Sequence, residues 1–143
     1  MQSSWIFNAV LSALFAGATA VIAKVGLASI NADLGTLVRT AFVLVFLAGI
    51  YGALHGVPTP GDLPRKAWLF LALSALSTAL SWLFYYRAIQ NGPVAAVAAL
   101  DKSSIIVTAV LGALILGESL TLRTISGAAL LSVGLWLMIT RAA

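Results

Sequence analysis

Five long apolar runs, separated by short polar turns, constrain this chain more than any other feature. Trp5 to Ala23 carries no charge, and its apolar character continues past Lys24 to Ile30. Leu34 to Leu54 is interrupted only by Arg39, and Ala67 to Tyr86 is uncharged. Pro93 to Leu116 is apolar apart from the adjacent Asp101 and Lys102, and Leu122 to Thr140 is broken only by Arg123 near its start. A helix of about 20 residues spans the roughly 30 Å hydrocarbon layer of a bilayer, and each run reaches that length. Barrel strands would alternate apolar and polar residues, and these runs do not. The expected fold is therefore all-α: a polytopic membrane protein with one domain over residues 1–143. Its five transmembrane helices are placed at about 5–30, 34–54, 67–89, 93–116 and 122–140.

Composition agrees. Of 143 residues, 62% are hydrophobic and 8% charged, against about a quarter charged in soluble domains. So few charges exclude a soluble enzyme and a disordered chain. The net charge of +4 comes from eight Lys and Arg spread along the chain, only Arg65 and Lys66 being adjacent, not from the clustered basic stripe that a nucleic-acid partner requires. There is no cysteine and a single histidine, His55, so no metal centre and no cofactor are expected. Ala18-Thr19-Ala20 looks like a cleavage site, but no basic segment precedes it and the apolar run continues beyond, so a signal peptide is not expected.

The turns are short. Asn31-Ala32-Asp33, Asn91-Gly92-Pro93 and Gly117-Glu118-Ser119 separate successive runs, and Val57 to Lys66 is the longest connection, with prolines at 58, 60 and 64. Sequential helices should be antiparallel neighbours. Alternating the turns between two sides places Arg65, Lys66 and Arg123 on one and Arg39, Arg87 and Arg141 on the other. The excess of positive charge that normally sets orientation nearly vanishes. Either one orientation wins for other reasons, or copies insert both ways and pair antiparallel. Five spans form an odd-numbered unit, and inverted repeats of such units are a recurrent transporter architecture with the site at the midplane.

Ala16-Gly17-Ala18-Thr19-Ala20 leading into Ala23-Lys24-Val25-Gly26-Leu27 resembles the first helix of EamA-type members of the drug/metabolite transporter superfamily. So does Asn31-Ala32-Asp33 before Val38-Arg39-Thr40. The fullest match is Tyr85-Tyr86-Arg87-Ala88-Ile89 through Gly92-Pro93 to Leu100-Asp101-Lys102-Ser103, followed by Leu116-Gly117-Glu118 and Gly127. The resemblance covers essentially the whole chain as one five-helix unit, whereas many relatives carry two. It implies one half of an inverted-repeat transporter, moving small metabolites, often driven by an ion gradient. It also implies pairing with itself, as an antiparallel homodimer, or with a similar small subunit. The expected location is a multi-pass position in a prokaryotic inner (plasma) membrane. A small ion channel built from inverted subunits, and a non-transporting assembly subunit, are the alternatives. No paired carboxylates or nucleophile–base set suggests an enzyme.

Seven residues are candidates for contact with a solute or ion. Asp101 and Lys102 lie roughly 12 Å into the fourth span, where charges are rare and face a cavity or a partner. They are set about 100° apart on a helix and need not meet each other. The structural alternative pairs Asp101 with Lys24, Arg39 or Arg87. Lys24 either faces a cavity or anchors its helix end; Arg39 and Arg87 either contact solute or lock the ends of their helices. Trp82 and Tyr86 share a face and either belong to the interfacial aromatic belt or stack a solute or cation. Asp33, Asp62 and Glu118 are expected in solvated turns, with Arg123 within reach of Glu118. Small residues at four-residue spacing allow close helix packing. Ser104, Thr108, Gly112, Gly117, Gly127 and Ser132 mark the expected packing or dimer interfaces, with a further stripe at Ala48, Gly52 and Gly56.

Overall fold

The computed structural model describes residues 3–57, 61 and 63–140. Pro58, Pro60, Asp62 and Arg141, named above, lie outside them. The described residues form six helices and no strand: α1 (Ser3–Gly26), α2 (Ala32–His55), α3 (Arg65–Asn91), α4 (Val94–Asp101), α5 (Ser104–Leu116) and α6 (Leu122–Thr140). Five segments are long and apolar enough to cross a membrane, α4 and α5 together making the fourth. The chain is an all-helical protein of the multi-pass membrane class. Its apolar side chains turn outward, with Phe15 and Leu54 both 71% exposed and Leu114 77% exposed. In water such a surface would be untenable; in a bilayer it meets lipid tails.

The chain divides into two compact units, Val25–Gln90 and a second formed by Met1–Lys24 with Asn91–Ala143. In the first, Leu27, Ala32, Thr36, Tyr86 and Ile89 are buried; in the second, Ala20, Ala99 and Leu135. Within the second unit α4 packs against α6.

Local chemistry explains the helix ends. α1 stops at Gly26, short of the expected Ile30, in a turn where Ala28 N–H donates to the Val25 carbonyl. Asn31 caps α2 by accepting the Asp33 N–H at 2.7 Å, and Asp33 itself sits in the first turn, where the helix dipole favours an anion. Pro93 directly precedes α4, where its missing N–H costs nothing. Thr121 caps α6, its hydroxyl accepting the Thr124 N–H at 3.2 Å. Gly56 and Gly117 end α2 and α5 with φ of 83° and 71°. Only glycine adopts that left-handed region without strain, so both members of the small-residue stripes have a duty in terminating helices.

Nothing lies within 4 Å of a Cβ built at Gly117, so the left-handed backbone is what penalises its replacement. Gly117→Val is expected to lower stability by about 1–2 kcal/mol, and Gly117→Asn, which tolerates this conformation, by less. Thermal unfolding in detergent reads the difference; equal midpoints for the native protein and the valine variant would refute it.

The fourth span departs most from a simple helix. Lys102 N–H donates to Ala99, Ser103 to Leu100, Ile105 to Lys102 and Ile106 to Ser103, every bond reaching three residues back instead of four. The stretch is a tight 3₁₀-like link joining α4 to α5. Ser and Asp favour such local departures because their side chains compete for backbone hydrogen bonds.

Candidate transport site

In the second unit, Asp101 and Lys102 occupy the tight link. Their side chains meet each other, Lys102 Nζ lying 3.3 Å from Asp101 Oδ2. Neighbouring positions diverge around a helix, but the long, flexible lysine stem reaches back. The pairing with Lys24, Arg39 or Arg87 set out as the structural alternative is replaced by this contact. Asp101 is 37% and Lys102 53% exposed at the side chain, so the pair is not sealed in a core. Mid-span interruptions with 3₁₀ geometry often mark functional positions. Discontinuous helices at membrane depth occur where backbone lines a cavity or is buried in protein.

Lys24, in the last turn of α1, donates to the Gly92 carbonyl at 3.2 Å. It thereby ties the end of α1 to the turn ahead of α4. At the end of α5, the left-handed Gly117 lets Glu118 N–H return to the Gly112 carbonyl at 3.2 Å. The Glu118 carboxylate folds over buried Gly112, and a Cβ added there would stand 3.0 Å from Oε2. Among the described residues Glu118 and Arg123 form no ion pair. Ser104 and Thr108 are exposed along α5, Gly127 has open space beside it, and Ser132 donates to the Ala128 carbonyl.

The first unit holds its helix ends with three polar links. Arg87 grips Asp33 through two parallel bonds, Nε to Oδ1 and Nη2 to Oδ2, each 2.7 Å. Asp33 is thus engaged in a fork-to-carboxylate contact instead of simply being solvated. Gln90 Nε2 donates to the carbonyls of Leu27 at 3.2 Å and Ile30 at 2.7 Å. It fixes the turn between α1 and α2, including a carbonyl left unpaired beyond the end of α1. Deeper in, the Arg39 guanidinium stacks on the Trp82 ring at 3.7 Å from its centroid and lies 5.6 Å from that of Tyr86. The cation that meets the shared aromatic face is the chain's own arginine. Tyr86 is buried, Trp82 half-buried.

Beside these residues runs a groove of about 530 Å³ between α2 and α3. Asp33, Thr36 and Thr40 line it from α2, and Ser74, Thr78 and Trp82 from α3, with leucines and alanines between them. Thr36, Thr40 and Thr78 donate their hydroxyls to carbonyls four residues back, which leaves their oxygens as acceptors facing an otherwise apolar wall. Among the described residues no three of His, Asp and Glu gather as metal ligands.

Residues 3–140 match the EamA-like transporter family. The chain belongs to that family. A Sinorhizobium sp protein named "Uncharacterized transporter in cobO 3′ region" is 49% identical over 138 residues, which cover 96% of this chain and 98% of the relative. No solved structure matches the chain. Membership in a drug/metabolite-type transporter family agrees with the five apolar spans. Three features of this EamA-like protein escape its sequence: the 3₁₀ link, the two bonds of Gln90 and the stacking of Arg39. The Asp-Lys-Ser-Ser run inside an apolar span was the available signal for the first. The others depend on helix register, which spacing within one helix does not reveal.

Proposed function

We propose that this EamA-like protein is a non-enzymatic secondary transporter of small metabolites in a prokaryotic inner membrane, working as an antiparallel, dual-topology homodimer. The observation that carries the proposal is the odd number of spans combined with evenly divided basic residues. An odd unit has its ends on opposite faces of the membrane. Pairing it with an inverted copy reproduces the arrangement that inverted-repeat transporters carry within one chain. The matched residues cover 98% of the Sinorhizobium relative, so that relative is itself about one unit long. Solute would bind near the midplane between the two copies, with Asp101 and Lys102 as the principal polar contacts and Lys24, Arg39, Trp82, Tyr86 and Arg87 as further members. An ion gradient would supply the driving force, and exchange between two asymmetric arrangements of the dimer would alternate access.

The native protein has no cysteine, so one engineered thiol reports orientation cleanly. Val57, 89% exposed beyond the end of α2, is the position of choice. With Val57→Cys in intact cells, a membrane-impermeant maleimide should label about half the molecules, because balanced basic residues give neither orientation an advantage. Permeabilisation should bring labelling to completion. Labelling of all or none before permeabilisation would refute dual topology.

A further inference from the structure

Arg39 is the eighth residue of α2, roughly 10 Å from the start of that helix. The Asp33–Arg87 pair marks one level of the α2–α3 register, and Arg39–Trp82 marks a second. Along α2 the second level lies about 9 Å further inward, and along α3 about 7.5 Å. Arg39 therefore does not stretch to the helix end as a snorkelling arginine would; it stays level with Trp82. Among the described residues its guanidinium forms neither a hydrogen bond nor an ion pair. The nearby carboxylate of Asp33 is already held in both its oxygens by Arg87.

Stacking engages the face of a guanidinium and leaves its N–H donors in the plane, in a fork that matches a carboxylate or phosphate. A positive charge inside a membrane span is costly and is commonly paired. One face of the Trp82 ring, a natural seat for a cationic solute, is occupied by Arg39. The same stack that takes this face presents an unused anion fork next to a hydroxyl-bearing groove, which Trp82 itself lines. We propose that Arg39, held by Trp82, is an oxyanion-binding residue and that the ligand carries a carboxylate or phosphate group. Resting on the transporter reading above, this assigns the substrate to anionic metabolites; the headgroup of an anionic lipid offers the same chemistry.

Four tryptophans are present, and replacing Trp5, Trp68 and Trp136 with Phe leaves Trp82 as the sole tryptophan, read by excitation beyond the tyrosine band. In maltoside micelles, which contain neither carboxylate nor phosphate, this protein is titrated with sodium succinate, sodium benzoate and sodium phosphate. Sodium chloride and choline chloride at matched ionic strength serve as controls. A saturable change in Trp82 emission with at least one oxyanion and with neither control is expected. Arg39→Gln should weaken it about tenfold or more, as loss of a charged bidentate contact does. Arg39→Lys, which keeps the charge but not the planar fork, should weaken it by a smaller factor. A parallel titration with phosphatidylglycerol separates the sources: a response to that lipid alone assigns the anion to a headgroup, and a response to soluble anions assigns it to solute. No response to any oxyanion, or an undiminished response in an Arg39→Gln protein that elutes like the native one, overturns the proposal. If Arg39→Gln does not fold, an undiminished response in Arg39→Lys overturns the need for the fork. Val57→Cys labelling on the same background reports topology independently, so failure of the anion site and failure of the antiparallel dimer are separable.

Discussion

Proteoliposomes carrying Asp101→Asn, loaded with a ¹³C-labelled extract of small metabolites, should release the transported solute far more slowly than those carrying the native protein. Mass spectrometry of the external medium needs no prior choice of substrate. Asn is nearly isosteric with Asp, so packing at the link between α4 and α5 is preserved while the charge disappears. A hydrogen bond to a charged group contributes about 1.5–3 kcal/mol, and each 1.4 kcal/mol is a factor of ten. The expected loss is therefore about tenfold to a hundredfold, with dimer formation unchanged by crosslinking. Among the described residues the ion pair of Asp101 is with Lys102, and removing the carboxylate leaves that ammonium without its partner. Lys102→Gln added to Asp101→Asn separates the two roles. If the double variant regains flux, the unpaired lysine was the obstacle; if flux stays low, Asp101 itself handles the solute or its coupling ion. Native flux in Asp101→Asn would refute its role.

Charge reversal at Asp33 should be the most damaging single change to folding. Asp33→Arg would set two guanidiniums against each other where the native pair makes two 2.7 Å bonds. It would also replace an anion by a cation in the first turn of α2, against the helix dipole. The yield of monodisperse protein on gel filtration should fall several-fold. Adding Arg87→Asp should restore most but not all of it, because the swapped pair re-forms while the dipole penalty stays. Asp33→Asn should do little by comparison, since the pair is about half exposed and exposed pairs contribute modestly. Failure of the swap to rescue would mean that the pair does not join the ends of α2 and α3.

These two sites differ in how much of them the amino-acid order discloses. The five spans were legible because lipid imposes a length and a composition that no soluble core demands. Asp101 and Lys102 stood out for the same reason: charge inside an apolar run is costly. Their contact with each other did not, because an ideal helix separates neighbours and the 3₁₀ link is a local exception to it. Asp33 read as a turn residue, and its grip on Arg87 joins positions 54 apart in the chain. Arg39 was visible as a charge, but its seat on Trp82 required knowing which levels of α2 and α3 coincide. Gly117 fitted a small-residue stripe, whereas its φ of 71° gives it a terminating role that spacing alone does not encode.

The tight link in the fourth span also behaves as a short screw thread. A 3₁₀ turn advances about 2.0 Å per residue with three residues per turn, an α turn about 1.5 Å with 3.6. Four bonds in the link have the shorter span. Converting four residues from one winding to the other would shorten the rod by about 2 Å and rotate α5 against α4 by roughly 80°. Such a rewinding exchanges one set of backbone bonds for another without breaking the span, and would carry every side chain of α5 a fifth of a revolution or so around its axis.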